Sequence, residues 1–284
     1  MKIGIALSGG GIRGIAHAGV LKALKENNIK IDIIGGTSAG GMVASLYAMG
    51  IEPEMIHILF KKHAKEIIGA NKFPFLSKLL KYSINKKITL TGFNNGESIE
   101  KVYNKIAQEQ NIKKISQIQM PIVIPTVDIM KPKEYVFTNN IPVDAEDTSK
   151  YIKDITVGKA VRASSSFPAV FMPCKVEEYA FMDGGVLDNV PVEEVKKQGA
   201  DKVIAVKFNA DPIEKNSNLM DIAMKTIDIM GSKISEQGLE KSNYILNVYT
   251  DRVGLLDIQK LDKCYEYGYK SVIDNLEEIK NAIK

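Results

Sequence analysis

The chain is poor in the residues on which thiol, imidazole and metal chemistry depend. Its 284 residues include two cysteines, three histidines and no tryptophan. The two cysteines, Cys174 and Cys264, are far apart in the sequence and form neither a disulfide framework nor a zinc-ligand pattern. We therefore expect two buried thiols in a reducing compartment, and no bound metal or other cofactor.

Long hydrophobic runs and a strong excess of one charge are also lacking. The apolar run Ile3–Leu7 is shorter than the apolar core of a usual signal peptide. No uncharged apolar stretch reaches the roughly 18 residues that a membrane span needs. A net charge of +4 gives no electrostatic case for nucleic-acid binding. We expect a cytoplasmic protein, with hydrophobic residues (45%) sufficient for one large core.

What the chain does have is two glycine-rich turns, each after a short apolar strand. The first turn, Ser8-Gly9-Gly10-Gly11-Ile12-Arg13-Gly14, follows a predicted strand over about 2–8. The second, Gly36-Thr37-Ser38-Ala39-Gly40, follows a predicted strand over about 31–35. A helix is expected after each turn, and the second, 41–49, is apolar on nearly all sides and therefore buried. This order predicts an α/β fold with a parallel sheet between two helical layers.

The rest of the chain continues the α/β pattern. The expected elements are a hairpin of 122–127 with 135–137 that turns at 131–133, a helix near 154–165, a strand pair around Glu177 and Glu178, a strand at 202–208, a helix near 218–238, a strand at 244–249 and a helix near 258–283. No repeat or linker is evident. We expect residues 1–284 to form one domain, with the motifs in about 1–200 and the fold completed by 201–284.

The second glycine turn has the pattern of a nucleophile elbow. Such a turn holds a serine in a strained backbone geometry, and glycines two residues before and after it allow strand and helix to approach. Gly36 and Gly40 occupy those positions around Ser38. The alternative is an ordinary strand-to-helix turn in which Ser38 caps the helix.

The first glycine turn allows three interpretations. It is not a phosphate-binding P-loop, because no Gly-Lys-Ser/Thr follows. Gly9, Gly11 and Gly14 formally match a dinucleotide fingerprint, but the acidic candidate, Asp32, lies at the wrong end of its strand. In the third interpretation, the N–H groups of Gly9, Gly10 and Gly11 form an oxyanion hole, with the positive charge of Arg13 nearby.

A serine nucleophile needs a base, and the histidines are poor candidates. His17 is expected to pack on its helix, and His57 and His63 to lie on the surface. A late aspartate fits better. Asp183 follows an apolar strand and precedes Gly184 and Gly185, which allow another group to approach; a simple hairpin turn is the alternative.

Together these motifs resemble the patatin-like phospholipase family. The resemblance includes Gly9–Gly14, Gly36–Gly40 and Asp183–Gly185, and also Ser166–Pro173 and Asp188–Pro191. It extends over residues 8–191 and is weak beyond residue 200. Some members carry Asp before the three glycines, where this chain has Ser8.

The resemblance implies a three-layer α/β/α sandwich and a Ser–Asp dyad that needs no metal. Ser38 is then the nucleophile, Asp183 the base and Gly9–Gly11 the oxyanion hole. The implied activity is hydrolysis of carboxylic esters in phospholipids or lysophospholipids, through an acyl-Ser38 intermediate. Acyl transfer by the same dyad and a non-catalytic lipid-binding role are the alternatives.

One basic segment suggests contact with a membrane surface. Residues 72–87 combine five lysines with Phe73, Phe75, Leu76, Leu79, Leu80 and Tyr82. Basic residues beside an apolar stripe suit an anionic lipid surface, which would make the protein peripheral at the membrane. The alternative is an amphipathic helix that packs on the core and exposes its lysines to solvent.

Overall fold

Strand β1 (Ile3–Leu7) lies inside a nine-stranded sheet and pairs in parallel on both sides. The computed structural model describes residues 1–68, 94–168, 170–209, 219–251, 253–254 and 257–284. The other strands are β2 (Ile33–Gly36), β3 (Ile122–Asp128), β4 (Lys133–Thr138), β5 (Tyr151–Ile152), β6 (Cys174–Val176), β7 (Tyr179–Asp183), β8 (Lys202–Phe208) and β9 (Tyr244–Val248). The main order is β5-β4-β3-β2-β1-β8-β9, and β7 pairs with both β3 and β6.

Ten α-helices lie in the described part of the chain. They are α1 (Ala16–Glu26), α2 (Ala39–Ala48), α3 (Pro53–Ile68), α4 (Glu97–Glu109), α5 (Val157–Ser164), α6 (Val192–Lys197), α7 (Leu219–Ile234), α8 (Glu236–Glu240), α9 (Leu261–Asp274) and α10 (Leu276–Ala282). A short 3-10 helix, Gly11–Ile15, connects β1 to α1.

The sheet separates two hydrophobic layers because successive strand residues point to opposite faces. Ile5 and Leu7 of β1 pack with residues of α1 to α5 and α9. Ala6, between them, packs on the other face with residues of α6 and α8. Five of the strand pairings are parallel and three are antiparallel. The fold is therefore a three-layer α/β/α sandwich with a mainly parallel sheet, as predicted.

Several predicted elements differ in their bounds. The helix predicted near 218–238 is two helices, α7 and α8, separated at Ser235. Oγ of Ser235 donates to the carbonyl of Gly231 and also accepts the N–H of Asn189. The Ser235 side chain thus bonds to the backbone of two other residues at this break. The helix predicted near 258–283 likewise divides at Asn275. The turn between β3 and β4 falls at 129–132 rather than 131–133.

Helices α3 and α4 have no counterpart among the predicted elements. Helix α4 nevertheless carries a helical signal, because Ile99, Val102, Tyr103, Ile106 and Ala107 are all buried on one face. Within the described ranges, no helix is both long and apolar enough to cross a membrane. The basic segment 72–87 lies outside the described residues.

Candidate active site

Ser38 lies in the turn between β2 and α2, in a backbone conformation that non-glycine residues rarely adopt. Its φ is 54° and its ψ is −121°. The two flanking glycines allow this geometry: a Cβ on Gly36 would come within 2.3 Å of the Gly40 carbonyl, and one on Gly40 within 2.3 Å of Leu7 O. The N–H of Ser38 donates to Oγ of Ser164 at 3.0 Å.

Asp183 reaches this turn because β2 and β7 share one edge of β3. Strand β2 pairs in parallel with the start of β3, and β7 pairs antiparallel with its end, where Asp183 is opposite Thr126. The carboxyl ends of β2 and β7 therefore meet head-on. The meeting is close, because a Cβ on Gly184 would lie 2.4 Å from Pro125 O and 3.0 Å from Cγ2 of Thr37.

Asp183 is almost fully buried, with 2% of the residue's surface exposed. Its Oδ1 accepts the N–H of Gly185 at 2.8 Å, whereas its Oδ2 has no hydrogen-bond partner in the described structure. Burial raises the pKa of Asp183 to about 6, and the nearby Ser38 hydroxyl and the Gly185 N–H limit that rise. An aspartate with this pKa and a free oxygen is a competent proton acceptor near neutral pH.

The first glycine turn lies against the same site. Of the three predicted oxyanion donors, Gly9 is engaged, because its N–H is shared between the carbonyl oxygen and Oδ1 of Asn189, at 3.2 and 3.1 Å. Among the described residues, no acceptor is found for the N–H groups of Gly10 and Gly11. The N–H groups of Gly10 and Gly11 are therefore both available to another acceptor.

Two buried side chains, one cationic and one aromatic, form hydrogen bonds to carbonyl oxygens of this turn. Arg13 is buried, and its Nε donates to Gly10 O at 3.3 Å. His17 is fully buried, with Nε2 2.8 Å from Ser8 O, so Nε2 carries the proton. Burial lowers the pKa of His17 to about 4. Gly14 packs on α2, where a Cβ would lie 2.4 Å from that of Ala39.

The other two histidines are less exposed than expected. The side chain of His57 is 20% exposed and that of His63 is 18% exposed. The His57 ring stacks on Tyr265 with centroids 4.2 Å apart, and its Nε2 lies 2.9 Å from Oδ1 of Asp262. Packing of α3 against α9 covers His57.

Ser38, Asp183 and Gly9–Gly11 all line one cavity. Including its open mouth, this cavity encloses about 1030 Å³. The remaining wall is mostly apolar and includes Ile12, Met42, Phe60, Ala64, Ile67, Phe167, Val170, Phe171, Val186 and Ile227. The wall residues from α3 and α7 were not anticipated, since neither helix carries a motif near a predicted site residue.

A family model for the patatin-like phospholipases matches residues 5–196, which contain every one of these polar site residues. The chain belongs to the patatin-like phospholipase family. It is 29% identical to lysophospholipase NTE1 of Candida albicans over 99% of its length. It is 31% identical to the lysophospholipase NTE1 of Pyricularia oryzae over 72% of its length.

The patatin-like chain is much shorter than these relatives, since it covers 20% and 12% of their lengths. Among solved structures, VipD from Legionella pneumophila matches with a TM-score of 0.51 at 15% identity, over 98% of this chain and 67% of that one. That likeness concerns the fold alone. In the described part of the patatin-like chain, no three His, Cys, Asp or Glu side chains are grouped as metal ligands would be.

Proposed function

We propose that the protein is a serine hydrolase that cleaves carboxylic esters of phospholipids or lysophospholipids with a Ser38–Asp183 dyad. The observation that carries this proposal is the meeting of β2 and β7. It brings a strained serine and a buried aspartate with a free oxygen to one cavity. Membership in the patatin-like family and relatives named lysophospholipases support a lipid ester as substrate.

In the first half-reaction, Oγ of Ser38 attacks the ester carbonyl carbon while Oδ2 of Asp183 accepts the hydroxyl proton. The carbonyl oxygen becomes an oxyanion, and the N–H groups of Gly10 and Gly11 stabilise it. Each well-placed donor contributes about 3–4 kcal/mol to such a transition state. When the carbon–oxygen bond to the alcohol breaks, Asp183 returns the proton to the leaving oxygen, which leaves an acyl-Ser38 ester.

In the second half-reaction, water replaces the alcohol. Asp183 accepts a proton from the water as its oxygen attacks the acyl carbonyl carbon, and the same two N–H groups stabilise the oxyanion. Breakage of the bond to Oγ releases the fatty acid, and the proton on Asp183 passes to Oγ of Ser38. The free enzyme is thereby restored without any metal step.

The cavity wall supports a substrate with an acyl chain. Most of its apolar residues belong to α2, α3 and α7 and to the segment that follows α5. Most of the surface around Ser38 is therefore hydrocarbon. Burial of each CH₂ group from water favours binding by about 0.8 kcal/mol. A wall of this kind binds a fatty acyl group better than a short polar ester.

The experiment that tests the proposal is ester hydrolysis without added metal. Wild-type protein, Ser38→Ala and Asp183→Asn are compared on a short-chain p-nitrophenyl ester and on vesicles of phospholipid and lysophospholipid. We expect both variants to remain folded and to lose activity, and only Ser38→Ala to lose labelling by a fluorophosphonate completely. Activity that survives Ser38→Ala would remove the nucleophile and the proposal with it.

We also propose that residues 1–284 act as one domain. Beyond the matched region, β8 pairs directly with β1, and α9 packs closely on α1. A Cβ on Gly268 of α9 would lie 1.9 Å from Ala16 O. A chain that ends near residue 200 would expose this side of the sheet, so we expect it to be insoluble, whereas a soluble and active truncated chain would contradict the proposal.

A further inference from the structure

Asn189 joins three parts of the active-site region that are distant in sequence. Its carbonyl oxygen and Oδ1 both accept the N–H of Gly9, 180 residues earlier, at 3.2 and 3.1 Å. Its own N–H donates to Oγ of Ser235 at 3.1 Å, and that hydroxyl donates to Gly231 O at 2.9 Å. Asn189 thus connects the turn after Asp183 to the first glycine turn and to α7.

The side-chain amide of Asn189 fits between two glycines. A Cβ on Gly9 would lie 2.6 Å from Oδ1 of Asn189, and one on Gly185 would lie 3.0 Å from the same atom. An N–H donor requires an acceptor, so the oxygen of the amide must face Gly9. The N–H of Gly185 donates to Oδ1 of Asp183. Because Gly185 lies next to both side chains, Asn189 is near the Asp183 carboxylate as well as near the first glycine turn.

We infer that Asn189 is a positioning residue, which holds the Gly9 N–H so that those of Gly10 and Gly11 stay free and fixed relative to Asp183. The inference rests on the proposed function. His17 and Arg13 hold carbonyl oxygens of the same turn, and Val206 O accepts the Ser8 N–H. The next N–H, that of Gly9, is held by Asn189. Loss of Oδ1 would leave only the Asn189 carbonyl oxygen, at 3.2 Å, to hold the Gly9 N–H and would allow the peptide planes that follow it to turn.

The predicted effect is on the transition state rather than on lipid binding. The oxyanion exists only after Ser38 has attacked, whereas the acyl chain contacts the apolar wall throughout. A shift of about 1 Å in the donors is enough to lower a rate about 10²-fold. Asn189→Ala should therefore lower kcat by about 10²-fold with little change in KM.

Asn139→Ala is the matched control. Oδ1 of Asn139 also accepts a backbone N–H, that of Ile122 at 3.1 Å, but Asn139 does not line the cavity. The folded fraction of each variant is first measured by circular dichroism. The concentration of reactive serine is then measured by fluorophosphonate labelling to completion, and the two variants are compared. We expect Asn139→Ala to keep the wild-type kcat per labelled site. Equal kcat values in the two variants would overturn the inference.

Two inhibitors separate a positioning role from a merely structural one. A trifluoromethyl ketone forms a tetrahedral adduct with serine, so its affinity should fall in Asn189→Ala by the same factor as kcat/KM. An ether-linked lysolipid carries no carbonyl, so its affinity should stay unchanged. An equal loss of affinity for both compounds would overturn the inference, because it would indicate a general collapse of the cavity.

Asn189→Asp covers the case in which Asn189→Ala does not fold. It has the same shape and retains an oxygen for the Gly9 N–H, so we expect it to fold. Its added negative charge beside Asp183 should raise the pKa of that base and move the acid limb of kcat/KM to higher pH. Above that limb kcat should stay near the wild-type value, because the Gly9 N–H keeps its acceptor, and a kcat lowered about 10²-fold there would overturn the inference. Absence of both hydrolysis and labelling in the wild-type protein would instead contradict the proposed function.

Discussion

The backbone N–H of Ser38 donates a hydrogen bond to the side-chain Oγ of Ser164, 126 residues later, at 3.0 Å. This contact joins the turn after β2 to the last residue of α5. Ser164 is fully buried, so water does not compete for its hydroxyl. The hydrogen bond helps to hold Ser38 at a positive φ that its own side chain disfavours.

We predict that Ser164→Ala lowers both stability and kcat. The variant leaves the Ser38 N–H without its acceptor, which should cost about 1–3 kcal/mol in the free energy of unfolding. Urea denaturation measures that loss, and kcat per labelled serine measures the effect on the site. Ser271→Ala is the control, because the Ser271 hydroxyl also bonds the backbone, donating to the Gly268 carbonyl within α9. A wild-type kcat in Ser164→Ala would show that the turn holds its geometry unaided.

The pH dependence of hydrolysis should report the ionisation of Asp183. The base must be deprotonated to accept the Ser38 proton, and burial raises its pKa to about 6. We expect kcat/KM to rise with pH through an apparent pKa near that value and then to level off. The measurement is a pH–rate profile on a neutral ester substrate. A limb near pH 4 would mean that the carboxylate is well solvated in the free enzyme.

Asp183 and His17 should have opposite effects on stability between about pH 4 and pH 6.5. The folded-state pKa of Asp183 is raised to about 6, so its contribution is fully present below about pH 4 and is lost as the pH rises. The folded-state pKa of His17 is lowered to about 4, so its contribution is complete above about pH 6.5 and is lost as the pH falls. Each effect amounts to about 3 kcal/mol, and the two oppose each other in the wild-type protein.

Single substitutions should expose each slope. In Asp183→Asn the free energy of unfolding should change more positively from pH 4 to pH 6.5 than in the wild-type protein, because the opposing titration of Asp183 is removed while His17 still titrates. In His17→Gln it should decrease over the same interval, because Asp183 still titrates. Urea denaturation at four pH values measures both slopes, and the double variant supplies the control. Parallel slopes in the two single variants would contradict the burial of one group or the other.

Gly36→Ala should be far more harmful than Gly238→Ala. A Cβ on Gly36 would lie 2.3 Å from the backbone of Gly40, which cannot move without disturbing the turn that holds Ser38. We expect a loss of at least about 1–3 kcal/mol in unfolding free energy, together with loss of activity. Gly238 is in α8, where the nearest contact for a Cβ is 4.0 Å away, so alanine should be tolerated or slightly stabilising. Thermal unfolding of both variants provides the comparison.

The strand–turn–helix units were predictable from sequence because their determinants lie within a few residues. Short, nearly continuous apolar runs indicate β1 and β8, and the glycines around Ser38 indicate a tight turn before a buried helix. The breaks at Ser235 and Asn275 were not predictable in the same way. The Ser235 hydroxyl bonds to Asn189, and that partner comes from the tertiary fold.

The sequence by itself determined the α/β class, the two glycine turns, and the residue types, serine and aspartate, of the candidate site. Only the tertiary structure decided how β2 and β7 meet along β3, which brings Ser38 and Asp183 to one cavity. It also decided that Asn189 engages the Gly9 N–H, 180 residues away. The physical reason is that local patterns specify backbone geometry, whereas burial, pKa and hydrogen-bond partners depend on segments that only folding brings together.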